Sequence, residues 1–220
     1  MADAATLEKP KVRTAPPPPE KIPLNFELDG KLIDSATMRQ PTFTNYSDYI
    51  SEALAMTQPA DIDTRLRRIR LSRQFIFNAN GVVVPVSTDQ VTRMPIPDAR
   101  KLLARLGNLA GGLPPGRIVK PGDGINTSIV VELGTPIVYA QGKEPVRELE
   151  FLAQNYGEIE DVLSEYVPAI QTTRLIKLVA KPLGTTLLRL TDAMCAAITI
   201  ADGMMITQDV LPFFTQSPDE

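Results

Sequence analysis

Histidine is absent from all 220 residues, and cysteine occurs once, at Cys195. Without histidine there is no Ser-His-Asp or Cys-His catalytic arrangement, and the commonest transition-metal side-chain ligand is missing. One cysteine allows no internal disulfide and no zinc cluster of the CxxC kind. A basic excess is also lacking. The net charge is −3, which supplies neither the positive field that nucleic acid requires nor a polybasic anchor for an anionic membrane surface. The longest nearly apolar run, Ala193–Ala201, falls well short of the roughly 18–20 residues that span a bilayer. The start, MADAATLEKPKVRTAPPPPEK, has no apolar core of the secretory-signal kind. These absences predict a soluble protein of cytoplasmic or virion type, with no cofactor, no metal and no nucleic-acid or membrane partner. Carboxylate, lysine and tyrosine chemistry stay open.

What is present is ordinary for a globular chain, 43% hydrophobic and 22% charged. Residues 1–21, with the run Pro16–Pro19, bury too little apolar surface to fold alone and predict a disordered or polyproline arm. From Ile22 to Met38, apolar and polar residues alternate on both sides of Asp29-Gly30, a hairpin signal, since both turn positions tolerate positive φ. After Pro41 the period changes to helical through Phe43, Tyr46, Ile50 and Leu54, with Thr42 or Thr44 as the cap. Asp61–Ser72 is amphipathic and begins the basic cluster Arg65, Arg67, Arg68, Arg70 and Arg73, which fits a solvated face or a binding face. A second hairpin turns at Asn80-Gly81, and Pro85 marks a strand end or an edge. A capped helix then runs through Leu102 and Leu106 to Gly107.

Residues 108–127, rich in glycine and proline, predict a linker or long loop. Their PGDG lacks the ending and context of a phosphate loop. Beyond it, 128–132, 136–141 and Val146–Phe151 predict strands. Helical stripes follow at Tyr156–Tyr166 and Ile170–Ala180, then a buried helix capped by Thr191 or Asp192, and a last amphipathic turn from Thr207 to Phe214. The predicted organisation is an arm (1–21), a first α+β unit (22–107), a linker (108–127), a second α+β unit (128–215) and a polar tail (216–220).

The two units share a pattern. IDSATMRQPTFTNYSDYI (33–50) lies on VRELEFLAQNYGEIEDVL (146–163) at a constant offset of 113, with apolar sites coinciding across a change from strand to helix at the same point. Ile96–Gly107 lies on Leu190–Ala201 at an offset of 94. Block order is the same in both halves, which points to an internal duplication. Two copies suit a pseudo-dimer with a shared core better than a solenoid, which wants three or more.

The stretch Thr37-Met38-Arg39-Gln40-Pro41-Thr42 resembles the T-L-R-x-P-T segment of tail assembly chaperones from long-tailed bacteriophages. The ending LRLTDAMCAAITIADGMMITQDVLPFF, with its Phe213-Phe214 pair, resembles the close of the same family. Together the matches cover about residues 22–56 and 185–215. Family members commonly have one unit and about half this length. The second copy here, FLAQNY, lacks the Arg-x-Pro-Thr signature. The resemblance implies a non-enzymatic protein of the host cytoplasm that binds a tape-measure or tail tube protein during morphogenesis. The alternative is a structural virion protein of tail or baseplate whose hairpins pair edge to edge, with self-association in either case. Partner-binding candidates are Arg39, Pro41, Thr42, Met204, Met205, Phe213 and Phe214. Methionines suit adaptable surfaces but also fill core gaps, and Phe213 and Phe214 fit either a client anchor or a staple onto the core. Tyr46, Tyr49, Tyr156 and Tyr166 are expected to be half-buried helix residues. Glu148, Glu150, Glu158, Glu160 and Asp161 are the carboxylates an enzyme would draw on; a solvated acidic surface is the plainer reading.

Overall fold

The computed structural model describes residues 20–39, 42–55, 61–106, 113–140 and 142–215. The fold is α+β, with two four-stranded antiparallel sheets and helices packed on and between them. The predicted arm lies almost wholly outside the described residues, and Lys21 already belongs to a strand.

The first sheet has the order β1-β2-β3-β4. In β1, Lys21–Leu28, alternate residues Ile22, Leu24, Phe26 and Leu28 point into the core. Asp29 and Gly30 turn the chain with φ of 48° and 75° into β2, Lys31–Met38. Two helices intervene, α1 (Phe43–Ala55) and α2 (Ile62–Gln74), and α2 runs without a loop into β3, Phe75–Ala79. Asn80 and Gly81, with φ of 51° and 80°, make the second turn into β4, Val82–Val84. A 3₁₀ turn, Gln90–Arg93, leads to α3, Ile96–Leu106.

The second sheet has the order β5-β6-β7-β8. Its β5, Arg117–Lys120, lies inside the stretch read from composition as a linker. The two strands expected at 128–132 and 136–141 are one strand, β6 (Ile129–Ile137), because a register shift between Glu132 and Ile137 absorbs Gly134, Thr135 and Pro136 without ending the pairing. β7 (Val146–Phe151) leads to α4 (Tyr156–Leu163) and α5 (Pro168–Val179), which again passes without a loop into a strand, β8 (Ala180–Pro182). The buried helix expected after Thr191 is broken in two, and the last turn expected from Thr207 is a π turn followed by a short helix. The segment runs α6 (Asp192–Ala197), α7 (Ile200–Met205), a π turn at Ile206–Val210, and α8 (Pro212–Thr215). Thr191 caps α6, accepting from Met194 N at 3.3 Å.

The order strand, strand, helix, helix, strand thus occurs twice, as β1-β2-α1-α2-β3 and β6-β7-α4-α5-β8. Register agrees as well as order. Ala36 pairs with Phe77 and Met38 with Phe75; Leu149 pairs with Pro182 and Phe151 with Ala180. An offset of 113 carries the first partners onto the second set, and an offset of 105 carries their mates. Each hairpin has its register shift in the first strand, between Pro23 and Phe26 or between Glu132 and Ile137.

The packing of the two units is unequal. Buried apolar residues form two clusters, one under each sheet, and Phe43 of α1 belongs to the second. Phe43 N donates to Ile198 O at 2.9 Å, and Thr42 forms an isolated antiparallel bridge with Thr199. This pairing holds the break between α6 and α7 open. Gly203 of α7 lies under the Phe43 ring, where any Cβ would overlap it. Asp202 is fully buried and ties α7 to β6: its carboxylate accepts from Gly134 N at 2.7 Å, Thr135 N at 3.4 Å and the Thr199 hydroxyl at 2.8 Å.

Two sheet edges are guarded against further strands, and a third is kept short. On β1, Asn25 N donates to Asp98 of α3 at 3.2 Å, and Lys101 reaches Pro23 O at 3.1 Å. On β8, Leu183 N bonds Glu148 O at 3.0 Å, so the outward slot before it falls to Pro182, which has no N–H. On β4 the strand ends at Pro85. Such edges are the usual defence against strand addition.

Candidate functional site

Arg39 follows β2 directly, with its backbone N–H on Gln74 O at 2.7 Å. Its exposed side chain stands at a cleft of about 480 Å³ between the helix pair α1/α2 and the β3–β4 hairpin. Tyr49 and Asn45 line the α1 side, Arg73 the α2 side, and Ile76, Val83 and Pro85 the sheet side. The sheet wall is apolar and open at Val83, which is 60% exposed. The opposite wall is polar and mixed in charge: Arg39 and Arg73 stand on it with the carboxylate of Asp48. Arg73 pairs with Glu52 at 2.6 Å. Arg70, half-buried behind it, donates to Leu106 O at 3.0 Å and to the Gln74 amide oxygen at 3.3 Å; burial lowers its pKa. Burial pushes the Tyr49 phenol up, against the pull of Arg73 and Arg39, so the phenol stays a hydrogen-bond donor. An apolar wall facing guanidinium and phenol groups fits a peptide segment that carries both apolar and acidic side chains.

The other candidates do not gather at this cleft. Pro41 lies outside the described residues. Thr42 caps α1, accepting from Asn45 N at 3.3 Å, and pairs with Thr199 at the start of α7. In α7, Met204 is half-buried and Met205 buried. In α8, Phe214 is 3% exposed and packs beside Gly124, which makes it a staple onto the second core, while its neighbour Phe213 is 44% exposed. Tyr46 and Tyr49 are half-buried, as expected. Tyr156 and Tyr166 are not, at 65% and 91% exposed: Tyr156 opens α4 on its outer side and Tyr166 sits in the α4–α5 loop.

The carboxylates are spread over the outside of β7 and α4. Glu150 pairs with Lys181 at 3.8 Å, Glu158 with Arg189 at 3.2 Å, and Glu148, Glu160 and Asp161 are exposed. Among the described residues, no group of three or more acidic or thiol side chains is placed to hold a metal ion. Cys195 is buried, and burial raises its thiol pKa. The basic cluster divides: Arg70 and Arg73 are engaged within the fold, while Arg67 and Arg68 are exposed.

Arg39 was a candidate from the sequence; its neighbours at the cleft, Tyr49, Ile76, Val83 and Arg73, were not. The unbroken Val82-Val83-Val84 run before Pro85 was the available signal, since a half-buried strand should alternate. Among the described residues, no helix is long and apolar enough to cross a membrane. Compared with protein-family models, curated proteins and solved structures, the chain matches none.

Proposed function

We propose that this chain is a non-catalytic protein-binding component of long-tailed phage tail assembly, of chaperone type. It acts in the host cytoplasm by holding a segment of the tape-measure or tail tube protein in the Arg39 cleft. The observation that carries this reading is the position of the cleft. It opens beside the residue on which the family resemblance rests, and it sets an apolar wall, Ile76, Val83 and Pro85, opposite a polar wall of Arg39, Arg73, Tyr49 and Asp48. An amphipathic client segment with acidic residues along one side satisfies both walls. The guarded edges at β1 and β8 weigh against the alternative in which a virion protein assembles by pairing its hairpins edge to edge.

Co-expression with the tape-measure protein tests the proposal. The wild-type chain should raise the client's soluble yield and co-purify with it. Arg39→Glu and Val83→Asp should each weaken capture about tenfold or more, as reversing a charge or burying one at a desolvated contact does. Undiminished capture by both variants sinks the cleft assignment. Recovery of the chain at fixed copy number in mature particles sinks the chaperone role in favour of the structural one.

A further inference from the structure

The first sheet ends at β4 with backbone groups that the described fold does not use. Asn80 and Gly81, both at positive φ, form a two-residue turn, and Ala79 and Val82 pair across it. Such a turn makes its flanking residues a hydrogen-bonded pair, and bonded and non-bonded pairs then alternate along the ladder. Val82 and Val84 therefore turn their N–H and C=O toward β3, and Val83 turns its own outward. The neighbouring ladder agrees. Arg39 N donates to Gln74 O, and alternation from that pair gives the backbone groups of Asn78, the partner of Val83, to Ser35 of β2. Among the described residues, no hydrogen bond reaches Val83 N or O.

The other three edges differ. On β1 the backbone groups of Pro23 and Asn25 are taken by α3. On β8 the outward slot falls to Pro182, and β5 is broken in register between Ile118 and Lys120. The β4 edge is short rather than blocked. Its next outward slot is Pro85, which has no N–H, so Val83 holds the one outward donor. That donor lies beside the Arg39 cleft, whose sheet side includes Val83, Val84, Pro85 and Val86.

We propose that the client segment held in the Arg39 cleft is extended, and that it joins the first sheet as a fifth strand beside β4, its backbone exchanging hydrogen bonds with Val83 N–H and C=O. A short stretch pairs with the edge. The segment then continues into the cleft, where an apolar side chain meets Ile76 and a carboxylate meets Arg39. Strand addition of this kind draws affinity from main-chain bonds and specificity from the pockets beside them. The inference rests on the reading of the cleft as the client site. It selects a strand over a helix as the client's form, because a helix interior has no backbone group left for Val83.

Two variants of the full chain, co-expressed with the tape-measure protein, are the test. Val83→Pro deletes the outward N–H, and Pro is tolerated at such an edge position because no bond to β3 is lost. Val83→Ile keeps both the N–H and a branched apolar side chain. Val83→Pro should lower capture about tenfold, as leaving a buried acceptor on the client unpaired does, with an unchanged circular dichroism spectrum, and Val83→Ile should keep it. Amide exchange on the wild-type chain is the second measurement. The Val83 amide should exchange freely in the chain alone and become protected in the purified complex. Full capture by Val83→Pro, equal loss from both variants, or a Val83 amide left unprotected in the complex overturns the strand pairing and leaves the cleft reading in place. A wild-type chain that captures no client overturns both.

Discussion

Asp202 and Asp123 are two carboxylates in opposite settings. Asp202 has no exposed surface and three inward donors, Gly134 N, Thr135 N and the Thr199 hydroxyl. Asp202→Leu removes the acceptor and strands those donors, each worth about 1–3 kcal/mol when left unsatisfied. Urea unfolding should show a loss of about 2–5 kcal/mol, with a smaller loss for Asp202→Asn, whose amide oxygen still accepts. Asp123 is at the surface, and its carboxylate accepts from the backbone of Thr127, Asn126 and Ile125 and from the Asn126 amide. These bonds, led by the one from Thr127, hold its carboxyl well below the ordinary value of 3.8. The sign follows: a carboxyl lowered in the folded state contributes stability above its unfolded value and loses it only as pH falls through the lower, folded one. The loop at 123–127 should therefore stay closed as ordinary exposed carboxylates protonate. An NMR titration should find the Asp123 carboxyl carbon flat through pH 3.8. A midpoint at the ordinary value contradicts the geometry.

Among the elements, the seam between α1 and α7 concentrates the most structure on the fewest atoms. Gly203→Ala places a methyl inside the Phe43 ring and forces α1 away from α7. Overpacking of this kind costs about 1–3 kcal/mol or more, and it should divide one calorimetric unfolding transition into two by releasing the first unit from the second. If a smaller ring site repairs the fault, Phe43→Leu in the Gly203→Ala background should restore the single transition. Much of the element plan was legible because it rests on local chemistry. Asp29-Gly30 and Asn80-Gly81 announce their hairpins through positive φ, and Thr191 announces α6 through its hydroxyl. The misses rest on partners distant in sequence. Arg117–Lys120 is a strand because β6 pairs with it, and nothing in a stretch crowded with glycine and proline says so. The break at Ile198-Thr199 exists because Thr42 and Phe43 pair there. The cleft was half legible: Arg39 stood in a recognisable motif, but Tyr49, Ile76 and Val83 reach it from three elements whose meeting is tertiary.

At the scale of the whole molecule, likeness and asymmetry coexist. The two units agree in connection order and in strand register, yet each adds its fourth strand on a different side, β4 beyond β3 in one and β5 beyond β6 in the other. Their cores stay separate clusters, and α1 crosses between them. Loss of one unit therefore uncovers apolar surface on the other, which a chain of independent beads would avoid. That crossing also sets an order of events during synthesis. Phe43 N finds its acceptor at Ile198 O, and at about 5–20 residues per second the ribosome delivers Ile198 roughly 8–30 s after Phe43. Through that interval the nascent chain can close its first two hairpins and pair α1 with α2, but the N-terminal end of α1 lacks its partner at Ile198. The first unit begins folding early and finishes last, and the timing of its completion belongs to the translation of the second.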